Sequence, residues 1–207
     1  MPAISDRIDL AKTVLFAGLI LPALLLPWHW VSGGMGAEPI RATIHYTGIW
    51  TLRALILALA VSPVFHLTGW GWIMRQRRMV GLFAFFYATL HMMSYVGLDH
   101  FFDWPLIWED VVKRPFITLG MTAFIILLVL AVTSPRAVAR RMGGRRWRLL
   151  HRLVYVAALA GGVHFLIGVK AGIGEPGVYL AIIAALVALR LVPPRTLGLI
   201  RKRRSAV

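Results

Sequence analysis

The sequence predicts an all-α integral membrane protein: a single bundle of six transmembrane helices with both termini cytoplasmic, filling residues 1–207 as one domain. Three observations predict it. The chain is 59% hydrophobic with a mean hydropathy of +0.75, which no soluble domain of this length matches. Six apolar runs approach or exceed the roughly 20 residues a helix needs to cross a hydrocarbon core of about 30 Å. Lys and Arg are segregated by connection, as the positive-inside rule requires. Only helices and closed barrels satisfy backbone groups in lipid, and these runs are too long and continuous for the alternating strands of a barrel.

The spans are expected at about 10–30, 46–67, 80–100, 116–134, 149–169 and 177–193. The first follows Arg7 and Lys12, but its apolar stretch runs through Leu26 with no A-x-A site, so it reads as a retained helix and not a cleaved signal. Pro22, Pro27 and Pro63 fall in or near span ends, where membrane helices tolerate kinks. Gly33-Gly34-Met35-Gly36-Ala37-Glu38-Pro39 reads as a tight connection, because Gly supplies positive φ and Pro39 fixes an extended entry. The connection from Asp99 to Pro115 is the longest, mixing Phe101, Phe102, Trp104, Ile107 and Trp108 with acids. It is either an aromatic interfacial belt or a docking loop for a soluble partner.

Charge fixes the expected orientation. Arg75, Arg77 and Arg78, then Arg136 to Arg152, then Arg201 to Arg204 belong to the second and fourth connections and the C-terminal tail. Glu38, Asp99, Asp103, Glu109, Asp110 and Glu175 lie in or beside the first, third and fifth. The Lys/Arg bias puts the former on the cytoplasmic side, where anionic lipid reinforces it. The net charge of +15 therefore reports topology and contact with membrane lipid, with no nucleic-acid partner implied.

With no cysteine, thiolate haem ligation, c-type attachment and cysteine-bound clusters are excluded, which leaves His, Met or Lys as soft ligands. His91 and His164 sit inside apolar runs, eight residues before Asp99 and six before Lys170. At 1.5 Å per residue they lie about 12 and 9 Å below the same membrane face. An intramembrane imidazole is costly without a partner. The pair reads either as axial ligands of one macrocycle, with Gly161 and Gly162 leaving room, or as structural histidines bonded to helix carbonyls. His151 lies thirteen residues before His164, about 20 Å lower, and is no ligand of the same macrocycle. The matching position before His91 is Arg78, so a second bis-His haem is disfavoured, while Arg77, Trp147 and Arg148 give that end guanidinium forks and a flat ring for an anionic or redox group. Arg53, within the second span, either pairs with a haem propionate or snorkels outward. His29, His45, His66 and His100 read as interfacial packing.

The chain resembles the MsrQ (YedZ) family of the ferric-reductase-like transmembrane group. The resemblance is carried by Gly36-Ala37-Glu38-Pro39, His45-Tyr46-Thr47-Gly48, Arg77-Arg78-Met79-Val80-Gly81-Leu82 with Leu90-His91, Arg114 to Gly120, Thr133-Ser134, Trp147 to Tyr155 and Val163-His164-Phe165. It implies an inner-membrane subunit that binds haem b and FMN, draws electrons from the quinone pool or a flavin reductant, and passes them to a periplasmic, molybdenum-containing methionine sulfoxide reductase catalytic subunit that repairs oxidised proteins. It implies haem-related positions at His91, His164 and His151, the last as a second metal site. No G-x-G-x-x-G loop and no nucleophile or acid/base constellation is present, so the chain reads as a relay with catalysis on its partner. The competing readings are a quinone-linked cytochrome b of another reductase and a non-redox transporter. The latter needs broken helices or inverted repeats, which are not seen.

Overall fold

A computed structural model describes residues 4–169 and 172–190, with side chains from residue 10 onward. The described chain is helical throughout: α1 (Ile4–Val31), α2 (Pro39–Thr68), α3 (Gly71–Met93), a π-helical turn (Ser94–Asp99), α4 (Trp104–Lys113), α5 (Pro115–Val132), α6 (Arg136–Met142), α7 (Gly144–His151), α8 (Leu153–Gly168) and α9 (Gly174–Ala188). Four helices form a closed ring in which α2 packs on α3, α3 on α5, α5 on α8 and α8 on α2. Helix α1 lies outside on α3 and α2, α9 outside on α8 and α2, and α4 against α5. Leu55, Val80, Phe83, Ala84, Tyr87, Leu127 and Ala157 fill the main core, and Leu52, Leu59, Ala158 and Ile183 the second. Outward-facing Leu24, Val31, Val132 and Val178 stay largely exposed, the pattern of a bundle whose solvent is lipid.

Five described segments are long and apolar enough to span: Leu10–Val31, Pro39–Thr68, Gly71–Asp99, Pro115–Val132 and Gly144–Gly168. The expected sixth is the shorter α9, whose 15 described residues extend about 22 Å. Residues 191–193 of that expected span, Lys170, and the basic tail Arg201–Arg204 lie outside the described residues. Two further departures from the expected elements stand out. The connection after Asp99 contains α4, started by Asp103, whose Oδ1 accepts from the Leu106 N–H at 3.1 Å, with Pro105 in the first turn. The fifth expected span is broken at Arg152 into α7 and α8.

Acids and bases sort to opposite ends. The acidic end carries Glu38, Asp99, Asp103, Glu109, Asp110 and Glu175, and its Arg41, Lys113 and Arg114 are each paired to an acid, Glu38, Glu109 and Asp110 respectively. Among the described residues no arginine at the basic end has a carboxylate partner.

At Pro63 a side chain meets the carbonyl that the proline frees. Pro63 has no N–H to give the Leu59 carbonyl four residues earlier, and Arg190 Nη2 donates to it at 3.4 Å. Helix α1 is tied down by Tyr46 O–H donating to the Pro22 carbonyl at 2.9 Å and by the fully buried Tyr87 O–H donating to the Leu19 carbonyl at 2.6 Å.

Candidate functional site

His91 comes from α3 and His164 from α8, helices diagonally opposed in the ring. Their ring centroids stand 6.0 Å apart, with ring planes at 80°. Each ring is held by the other diagonal. His91 Nδ1 lies 2.9 Å from the Ile44 carbonyl of α2, and His164 Nδ1 lies 2.6 Å from the Phe116 carbonyl of α5. Four residues beyond each carbonyl is a glycine, and a Cβ there would crowd the ring: at Gly48 it would lie 3.1 Å from His91, at Gly120 2.8 Å from His164. The arrangement is thus one unit built twice, an imidazole laid over a glycine and bonded to the carbonyl one turn before it.

Carbonyls accept, so both Nδ1 atoms carry the proton and both Nε2 atoms present lone pairs. Neither Nε2 has a hydrogen-bond partner among the described residues. Gly161 and Gly162, expected to make room for a macrocycle, serve packing instead. A Cβ on Gly162 would meet Leu180 at 2.9 Å and one on Gly161 would meet Leu52 at 3.5 Å. The glycines against the imidazoles are Gly48 and Gly120. Both glycines fall inside motifs that carry the family resemblance, His45-Tyr46-Thr47-Gly48 and Arg114 to Gly120, but spacing alone does not single them out.

At the basic end His151 lies flat on Trp147, with centroids 4.0 Å apart and planes at 26°. Both reach Thr133 at the end of α5: Trp147 Nε1 donates to its carbonyl at 2.9 Å, and His151 Nε2 lies 3.2 Å from its hydroxyl. Arg78 Nε donates to the Ser134 hydroxyl at 3.1 Å, with Arg77 beside it in α3. Arg148 folds back on Gly144. The structure therefore brings Arg77, Arg78, Trp147 and His151 to one end and leaves Arg148 at its margin.

Arg53 reaches a second helix pair, α2 and α9. It lies nine residues beyond Ile44, roughly 13 Å further along α2. Its Nε donates to the Tyr179 hydroxyl of α9 at 3.0 Å, and its guanidinium carbon sits 4.7 Å from the Trp50 ring centroid. His45, on α2, meets Phe165 at 5.7 Å. His100 packs on Tyr95 at 4.4 Å and lies 3.2 Å from the buried Asp110.

The family profile described as "Ferric reductase like transmembrane component" matches residues 47–162. A protein of Rhodospirillum rubrum is 48% identical over 202 residues, covering 98% of this chain and 95% of its own length. One from Azospira oryzae is 46% identical over 90% of this chain and 80% of its own, and one from Xanthomonas oryzae 40% identical over 100% and 97%. Each is named protein-methionine-sulfoxide reductase heme-binding subunit MsrQ. The chain belongs to the MsrQ family. Within it, the segment shared with the wider ferric-reductase-like group takes in His91 and His151. His164 lies two residues past that segment and inside the alignments that cover nearly the whole chain.

Proposed function

We propose that this chain is the haem-binding electron-transfer subunit of a methionine sulfoxide reductase system. It lies in the bacterial inner membrane with its acidic end outward and both termini cytoplasmic. Electrons pass from the quinone pool to a periplasmic, molybdenum-dependent catalytic partner. One observation carries the reading: two imidazoles at 6.0 Å, each with its Nδ1 bonded to a carbonyl and its Nε2 free. An imidazole–metal–imidazole unit needs ring centroids roughly 6 Å apart when each metal–nitrogen bond is about 2.0–2.1 Å. A carbonyl on the second nitrogen is also the usual outer-shell partner of a metal-bound imidazole, fixing its tautomer and orientation.

His91 and His164 are thus the residues that hold haem b, and the haem, when bound, supplies a one-electron couple. Ile44 and Phe116 keep the proton on Nδ1, and Gly48 and Gly120 let the rings reach those carbonyls. Phe116 adds an apolar ring 5.9 Å from His164. The overall chemistry balances: a quinol oxidised to quinone yields two electrons and two protons, which reduce one methionine sulfoxide to methionine and water on the partner. FMN fits the basic end, where Trp147 and His151 offer stacked flat rings and Arg77 and Arg78 offer phosphate-binding forks. In this reading His151 faces flavin, and it is the position at which a second metal site would lie.

His91→Ala and His164→Ala test the reading. Each is expected to remain inserted and to lose most haem, measured as haem per protein after purification. Wild-type haem content and spectrum in both would overturn it.

A further inference from the structure

His45 stands one turn from the histidine pair, on the side of the acidic end. It precedes Gly48 by three residues, so its side chain leaves α2 about 4.5 Å nearer that end and only about 60° round from the glycine that faces His91. The residue before it, Ile44, gives His91 its carbonyl, and its ring meets Phe165, the residue after His164, at 5.7 Å. It borders both imidazoles. The ring is exposed, and neither of its nitrogens has a hydrogen-bond partner among the described residues. The other bases described near that end are engaged: Arg41 with Glu38 at 2.7 Å, Lys113 with Glu109 at 2.6 Å, Arg114 with Asp110 at 3.1 Å, and His100 3.2 Å from Asp110. His29 packs on Tyr46, which leaves α2 about 160° round from Gly48. Arg53 lies five residues past Gly48 toward the basic end and gives its Nε to Tyr179.

A haem b held between His91 and His164 brings two propionate carboxylates, and an ionised carboxylate is costly in an apolar core unless a donor meets it. The shorter way to water is the acidic end, because the pair lies about 9–12 Å below that face. There the propionates come among the protein's carboxylates, whose cations are already taken. A free donor is what such a place needs. We propose that His45 donates an imidazole N–H to a haem propionate and so fixes the macrocycle with its carboxylates toward the acidic end. The inference rests on the reading of His91 and His164 as the haem ligands, and it adds a third contact, made to the edge of the macrocycle. A hydrogen bond to an ionised acceptor is among the stronger ones. It also draws negative charge away from the iron, one of the levers that set a haem potential.

The test uses the full chain in nanodiscs, loaded with haem or with haem dimethyl ester, whose carboxylates are masked, and follows transfer of either to apomyoglobin. His45→Ala is expected to lose haem about tenfold faster than the wild type, the worth of one charge-assisted hydrogen bond. His45→Gln keeps a donor, and about threefold is expected. All three proteins should lose the ester at one rate and keep the same bis-imidazole spectrum. The midpoint potential should fall in His45→Ala loaded with haem and stay in place with the ester. A merely structural contact of His45 with Phe165 would instead speed the loss of both forms. Should His45→Ala fail to insert, His45→Gln carries the comparison. Wild-type rates of haem loss in the variants, or equal acceleration for haem and ester, would overturn the role of His45 and leave the ligand pair standing. A wild type that takes up neither form with a bis-imidazole spectrum would overturn the ligand reading, and this inference with it.

Discussion

Gly48 and Gly120 set the clearance at the histidine pair, and they differ in how much. A methyl at Gly120 would stand 2.8 Å from His164 Nδ1 and 2.9 Å from Cε1, inside contact distance, whereas at Gly48 the closest approach is 3.1 Å. Gly120→Ala is therefore expected to displace its imidazole from the Phe116 carbonyl and lower haem content several-fold, with Gly48→Ala milder. Haem per protein in the two variants checks the order. The histidines themselves were legible in the sequence, because an ionisable ring inside an apolar run is conspicuous. Their glycines were not, since nothing in the order of residues says which ring will cross which helix. Arg53 was legible as an anomaly, but its partner was not, because Tyr179 lies on another helix far along the chain.

At the level of elements, α4 shows where hydropathy stops being informative. Trp104-Pro105-Leu106-Ile107-Trp108-Glu109-Asp110-Val111-Val112-Lys113 mixes charges with apolar residues, so it reads as a loop, yet capping by Asp103 and burial of one face make it a helix. Its anchor is Asp110, 4% exposed, which accepts from Tyr95 at 3.2 Å and also meets His100 at 3.2 Å and Arg114 Nε at 3.1 Å. Asp110→Ala removes the acceptor that Tyr95, His100 and Arg114 share and, with Arg114 half-exposed to solvent, is expected to cost about 1–3 kcal/mol of local stability. Hydrogen exchange over 95–114 should rise while haem stays bound. The break at Arg152 escaped the sequence reading because a single turn residue, itself with helical backbone angles, does not interrupt an apolar run. It separates α7, with His151 and Trp147 held on Thr133, from α8 with His164. His151→Ala, and Arg77 and Arg78 neutralised together, are expected to leave the haem in place and slow its reduction by reduced flavin. Equal rates at matched haem content would remove the case for entry at the basic end.

For the whole molecule, the distribution of charge is more telling than its sum. Among the described residues Arg75, Arg77 and Arg78 and the arginines from Arg136 to Arg152 gather at the end opposite the acids, and that Lys/Arg bias is what orients a membrane bundle. Cysteines introduced singly at Ala137 and Asp103 should show Asp103 reachable by an impermeant reagent from outside the cell and Ala137 not, and the reverse would invert the orientation. The paired imidazoles tie the site to the backbone of the whole ring. Each imidazole is steadied by a main-chain carbonyl of a neighbouring helix, His91 by α2 and His164 by α5. A change that parts α2 from α3, or α5 from α8, therefore reaches the histidine pair without touching either side chain.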